Sequence, residues 1–197
     1  MEDLASFVLA GFALTGSPGP ATLGLAAAGA AFGVRRSLPL MIGAVVGVVA
    51  VMLVTASGLT SLVVAQPVIG PAVTVLAAGY MIYLAYQIAT APPPGEQSSS
   101  EKPPGFVPGL FLGLGNPKAY AAMAALFSGF TLVRNQLLAD VATKIAVLIA
   151  IMIIVDFAWL MLGSALTRAF REPRLGRALN IAFAVLLVAS VLLAVAV

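Results

Sequence analysis

The chain has 197 residues, 61% of them hydrophobic and 9% charged, with a formal net charge of +3 and a mean hydropathy of +1.11. Soluble domains carry roughly 25% charged residues, so a water-facing surface is excluded and lipid is the natural solvent. With no Cys and no His, disulfides, thiol nucleophiles, most zinc and haem ligation and imidazole acid–base chemistry are excluded as well; no metal and no cofactor is expected.

A helix needs about 20 apolar residues to cross the hydrocarbon core. Six such spans are predicted, at Leu4–Ala31, Leu38–Val64, Val68–Thr90, Phe106–Val133, Leu137–Gly163 and Leu175–Val197. They make an all-α integral membrane protein, one transmembrane domain over residues 1–197. The start, Met1-Glu2-Asp3-Leu4, is acidic. A secretory signal carries a basic n-region, so the first span is read as a retained helix. Inside it lies Gly16-Ser17-Pro18-Gly19-Pro20. Proline lacks an N–H and clashes with the preceding turn, so the helix is expected to break there and to resume at Ala21.

Arg35 and Arg36 follow the first span, and Gln66-Pro67 with Gly70-Pro71 marks a tight turn between the second and third. Tyr80, Tyr83 and Tyr86 recur along the third, as a polar-edged stripe near a pathway or as an interfacial aromatic belt. Residues 91–105, APPPGEQSSSEKPPG, form the clearest linker and are expected to be a mobile loop. They separate a first repeat, about 4–90, from a second, about 106–197.

The fourth span repeats the first. Phe7-Val8, Phe12 and Gly16-Ser17-Pro18 correspond to Phe106-Val107, Phe111 and Gly115-Asn116-Pro117 at a constant offset of 99 residues. That offset covers three crossings, so the second copy is inverted relative to the first. In secondary transporters, Gly/Pro interruptions at corresponding places in inverted repeats mark the substrate site near the midplane. Both breaks lie about ten to twelve residues into their spans, roughly 15–18 Å at 1.5 Å per residue. Broken helices persist in lipid only where they face protein or a wet cavity. Half-helices resuming at Ala21 and Ala119 would point free N–H groups and positive dipole ends at that cavity, an arrangement suited to a carboxylate or another anion. Each break taken alone is equally explained as a plain proline kink.

Positive-inside bias orients the bundle. Arg35, Arg36, Lys102, Arg168, Arg171, Arg174 and Arg177 fall on one side, expected to be cytoplasmic. Arg134 and Lys144 fall on the other, which puts both termini outside. Basic residues confined to such connections set topology, so the pI near 9.6 does not indicate nucleic acid. Lys118 and Asp156 lie deep in spans four and five. Either costs about 2.5–3.5 kcal/mol at a helix centre. Apolar neighbours disfavour the charged form of Asp156 and a nearby ammonium favours it, which makes it a candidate proton or amine site. A buried structural ion pair between the two is the competing reading. The candidate substrate-binding residues are therefore Ser17, Pro18, Gly19, Pro20, Asn116, Pro117, Lys118 and Asp156, with Asp156 also the candidate for proton coupling. Gly29/Gly33, Gly43/Gly47 and Gly109/Gly113 permit close helix packing within one chain, and would equally serve a homodimer.

At these residues the chain resembles the LysE/RhtB-type amino-acid exporters. The likeness rests on Pro18-Gly19-Pro20, on Gly33-Val34-Arg35-Arg36 with Gly43 and Gly47, on Gly79-Tyr80-Met81-Ile82-Tyr83-Leu84, and on Gly109 through Asn116-Pro117-Lys118-Ala119. It implies export of amino acids or related small metabolites by proton or cation antiport. With neither a cleavable signal nor an organelle-type leader read in the sequence, the inner membrane of a bacterium is the expected location. The likeness points to Pro18, Gly19, Pro20, Asn116, Pro117, Lys118 and Asp156. Two places depart from the pattern: Ala21 stands where members often carry Asn, and Ser128-Gly129-Phe130 where many have a Pro-Gln-Phe-like ending. Three other readings stand beside it. They are an exporter of a non-amino-acid solute or anion on the same fold, an intramembrane hydrolase with a Ser17–Lys118 dyad, and a helical scaffold.

Overall fold

The computed structural model describes residues 2–58 and 103–165, together with single positions between 75 and 90 and between 177 and 189. Most of the expected third and sixth spans, the linker 91–102 and the turn around Gln66-Pro67 lie outside the described residues. Those described are helical, with no strand among them. The continuous elements are α1 (Glu2–Gly16), α2 (Pro20–Phe32), α3 (Val34–Ala56), α4 (Phe106–Leu114), α5 (Pro117–Gly129) and α6 (Leu137–Ala165). Helices α3 and α6 are each long and apolar enough to cross a membrane, and α1 with α2 passes as one span bent by 61°. Leu9, Ile42, Leu53, Phe111, Ile154 and Met161 are exposed, as the lipid-facing side of such a protein requires.

Both expected breaks are present, but the half-helices resume earlier than the sequence suggested. The first resumes at Pro20 rather than Ala21, and the second at Pro117 rather than Ala119. Proline is well suited to the first helical position, because the N–H it lacks would have no intrahelical partner there. The turn from α2 to α3 is also tighter than expected. Gly33, at φ 76°, is its only non-helical residue, so α3 begins at Val34 instead of Leu38. Arg35 and Arg36 then sit exposed in its first turn. Ser37 fixes the corner by donating to the carbonyls of Ala28 (3.0 Å) and Gly33 (2.9 Å). Helix α3 ends at Ala56 and the fourth span ends at Gly129, both short of the expected Val64 and Val133.

Two seams hold the described bundle together. In one, α3 and α4 meet backbone to backbone: Gly43 and Gly47 face Phe106 and Leu110, while Gly109 and Gly113 face Leu40 and Ala44. In the other, Gly29 of α2 meets the Leu160 carbonyl and Gly163 of α6 meets that of Ala26. Small residues let helices approach this closely, and here they do so within one chain. Gly33 serves the turn instead. An apolar core of Phe7, Val51, Met52, Met123, Leu126 and Leu148 lies between α1, α3, α5 and α6. Each long helix packs on both halves of a broken helix: α3 on α4 and α5, α6 on α1 and α2.

Candidate functional site

The site is built where the two breaks face one another. Ser17-Pro18-Gly19 separates α1 from α2, and Gly115-Asn116 separates α4 from α5. Pro18 and Pro117 force these interruptions, since neither can donate to the preceding turn and each biases its predecessor towards extended backbone. The carbonyls at the end of α1 find side-chain partners from the second half of the chain. Trp159 Nε1 donates to Gly16 O at 3.2 Å, and Lys118 Nζ donates to Ser17 O. The ammonium thus closes the negative end of a half-helix.

The N-terminal ends that follow the breaks are capped from within. Gly19 N–H donates to Thr22 Oγ1 at 2.9 Å. Lys118 N–H donates to Asn116 Oδ1 at 3.2 Å, making Asn116 the N-cap of α5. Capping of this kind satisfies part of the free N–H set that the sequence reading offered to an anion.

A cavity of about 40 Å3 opens between the breaks. At about 10–15 Å3 per water it has room for roughly three waters. Of the expected site residues, Gly19, Asn116, Lys118 and Asp156 line it; Ser17, Pro18, Pro20 and Pro117 frame the breaks without lining it. Ser17 and Pro18 are exposed, and Pro20 is buried. Thr15, Thr22 and Ala21 add to the wall on one side, Ala44 and Val48 on another, and Ala119, Ala122, Met123 and Met152 give it an apolar floor.

Asp156 is 8% exposed. No hydrogen bond or ion pair links it to the other described residues, so its carboxylate oxygens are left facing the cavity. The competing reading, an ion pair with Lys118, is absent: both line the cavity, yet the Lys118 ammonium goes to the Ser17 carbonyl. A Ser17–Lys118 dyad is absent too, because Ser17 Oγ donates to Leu14 O at 3.1 Å and Lys118 engages the backbone of Ser17 rather than its hydroxyl. Tyr83 and Tyr86 are exposed and do not line the cavity; Tyr80 lies outside the described residues.

The buried ion pair lies elsewhere, in residues the sequence reading had not paired. Lys144 Nζ meets Asp140 Oδ2 at 2.7 Å, one turn apart on α6. The same ammonium donates to Phe127 O (3.1 Å) and Phe130 O (2.5 Å), satisfying carbonyls at the end of α5. Asp140 Oδ1 accepts from Leu132 N (2.5 Å) and Val133 N (2.9 Å). Phe130 then stacks edge-on against Phe7, 5.5 Å between centroids. Lys144 is thus not a loop charge; it clamps the α5–α6 connection onto α1. Its (i, i+4) spacing from Asp140 was the available signal. Trp159, three residues after Asp156 and so on the same helix face, and Thr22 were likewise missed. Among the described residues no cluster of acidic side chains could hold a metal ion.

A family model described as LysE type translocator matches residues 12–197. The chain is 33% identical to the cysteine/O-acetylserine efflux protein of Salmonella typhimurium (strain LT2) over 172 residues, 87% of each chain. It is 34% identical to the protein of that name from Salmonella typhi, and 31% to that from Escherichia coli (strain K12), over the same share of each. No solved structure gives a significant match.

Proposed function

We propose that this chain, which belongs to the LysE type translocator family, exports amino acids or closely related small metabolites from the cavity between its two broken helices. The observation that carries the reading is a buried carboxylate, Asp156, facing a cavity that both breaks line. A polar group inside a membrane span marks a solute pathway by default. The relatives' names make cysteine and O-acetylserine the first solutes to try.

The finer architecture is part of the proposal. The chain is one domain of six spans, two inverted three-helix repeats with spans one and four broken. The reciprocal packing of α3 on the second broken helix and α6 on the first supports this, as does the shared register of the breaks. Ser17, Pro18, Gly19, Pro20, Asn116, Pro117, Lys118 and Asp156 frame the substrate site, and Asp156 carries the proton of an antiport cycle. The protein sits in a bacterial inner membrane with both termini outside, following the distribution of arginines.

The test is uptake into inside-out vesicles of a radiolabelled amino-acid mixture containing cysteine, under an acid-inside proton gradient. Gradient-driven accumulation by wild type that is lost in Asp156→Asn is the expected result. Accumulation retained in the variant would remove Asp156 from the coupling step. No accumulation of any amino acid in wild type would overturn the substrate class.

A further inference from the structure

We infer that the site holds its solute by the ammonium group, at Asp156, and that Lys118 is a positioning residue rather than the receptor for the solute's carboxylate. The inference rests on the amino-acid reading above and assigns the two ends of the zwitterion.

Most polar groups on the cavity wall are already engaged. Thr15 Oγ1 donates to Gly11 O at 2.8 Å. Thr22 Oγ1 accepts from Gly19 N at 2.9 Å and has Gly19 O at 3.1 Å. Asn116 Oδ1 holds the Lys118 N–H. Lys118 Nζ donates to Ser17 O, and the stem of the side chain lies along Gly19. Thr15 is thus engaged within α1, and Thr22, Asn116 and Lys118 each secure the backbone at a break. Asp156 alone among them is an ionisable group with its acceptors open: buried, facing the cavity and bonded to none of the described residues.

A carboxylate only accepts hydrogen bonds, and an ammonium brings three donors and the opposite charge. The group that fits Asp156 is thus the solute's ammonium. The Lys118 ammonium already spends one of its three donors on Ser17 O and lies at the negative end of α1, so a solute carboxylate there would compete with that helix end for its charge. Asn116 gives the carboxylate a better place: with Oδ1 committed to the Lys118 N–H, its amide NH2 is the donor it can offer on the same wall. Placed this way, the head group lies between Asn116 and Asp156, and a short side chain meets the apolar floor of Ala122, Met123 and Met152.

The experiment measures binding to the purified full-length protein of three probes: cysteine, cysteamine (ammonium without carboxylate) and N-acetylcysteine (carboxylate without free ammonium). Cysteine and cysteamine are expected to bind, N-acetylcysteine not, and Asp156→Asn is expected to lose both ligands. In vesicles, Lys118→Gln is expected to leave the cysteine KM within about threefold while kcat falls about tenfold or more, and Lys118→Arg to restore kcat. Should Lys118→Gln not fold, the probe ranking on wild type still decides. Binding of N-acetylcysteine but not cysteamine, or a cysteine KM that rises tenfold or more on loss of the Lys118 charge, would overturn the assignment and leave the amino-acid reading standing. Failure of all three probes on wild type would overturn both.

Discussion

Lys118 lies across Gly19, and the two residues are 99 positions apart, the offset that aligns the two breaks in the sequence. Each thus meets the residue that corresponds to it when the two breaks are aligned in sequence. Two lysines there would repel, and two glycines would leave the end of α1 uncapped. One of each puts a single ammonium at the junction, on Ser17 O.

Gly19→Ala tests that contact without touching a charge. The added Cβ would fall 2.8 Å from Lys118 Cδ and 3.2 Å from Nζ. Gly19 is at φ −175°, extended backbone open to any residue, so the strain falls on the lysine alone. A flexible side chain yields readily, and thermal unfolding in detergent should show a loss of no more than about 1 kcal/mol. Transport should fall further, by about tenfold, because the displaced ammonium no longer sits on Ser17 O. A stability loss with unchanged transport would show that the Lys118 contact is packing only.

Trp159→Phe keeps an aromatic ring but removes the indole N–H together with the pyrrole half of the side chain. Gly16 O then loses the indole N–H that reaches it at 3.2 Å. A carbonyl at a helix end in apolar surroundings has no water to fall back on, and leaving it unpaired costs about 1–3 kcal/mol. The expected readout is a lower unfolding temperature for Trp159→Phe. An unchanged unfolding temperature would mean that the Trp159 bond to Gly16 O contributes nothing to stability.

How far this arrangement could be read in the chain depends on the residue type. Proline and glycine carry their geometry in their covalent structure, so the breaks at Pro18 and Pro117 were legible to within one or two residues, as were the seams at Gly43, Gly47, Gly109 and Gly113. Helix α6 is apolar all round, so periodicity could not distinguish its inner face. Only Met152, Asp156 and Gly163, at spacings of four and seven, mark it in retrospect. The destination of the Lys118 ammonium was not legible at all. Its long stem reaches either Asp156 or a backbone carbonyl, and the choice is made by the fold around Gly19.

The Asp140–Lys144 clamp should show the behaviour of a buried pair. Their side chains are 9% and 4% exposed. Removing one partner strands the other charge, so Asp140→Leu and Lys144→Met should each destabilise by about 3–5 kcal/mol, and the double variant by clearly less than the sum. A double-mutant cycle on unfolding temperature in detergent measures the coupling. Independent effects would mean that the bonds of Lys144 to Phe127 and Phe130 carry the clamp without Asp140.

The glycine seams leave no freedom of this kind, because their neighbours are backbone. A Cβ at Gly163 would lie 1.9 Å from Ala26 O, and one at Gly109 would lie 2.0 Å from Leu40 O. Neither carbonyl can swing aside while its helix is intact, so the helices themselves must separate. Gly163→Ala and Gly109→Ala should each destabilise by about 3 kcal/mol, the upper end for overpacking. Gly129→Ala is the control: nothing lies within 4 Å of its Cβ position, and better helix propensity should make it neutral or stabilising by up to about 1 kcal/mol. The contrast is read as folded, monodisperse yield on size-exclusion chromatography and as unfolding temperature. Equal tolerance at all three sites would show that α2–α6 and α3–α4 do not meet through their backbones in the membrane.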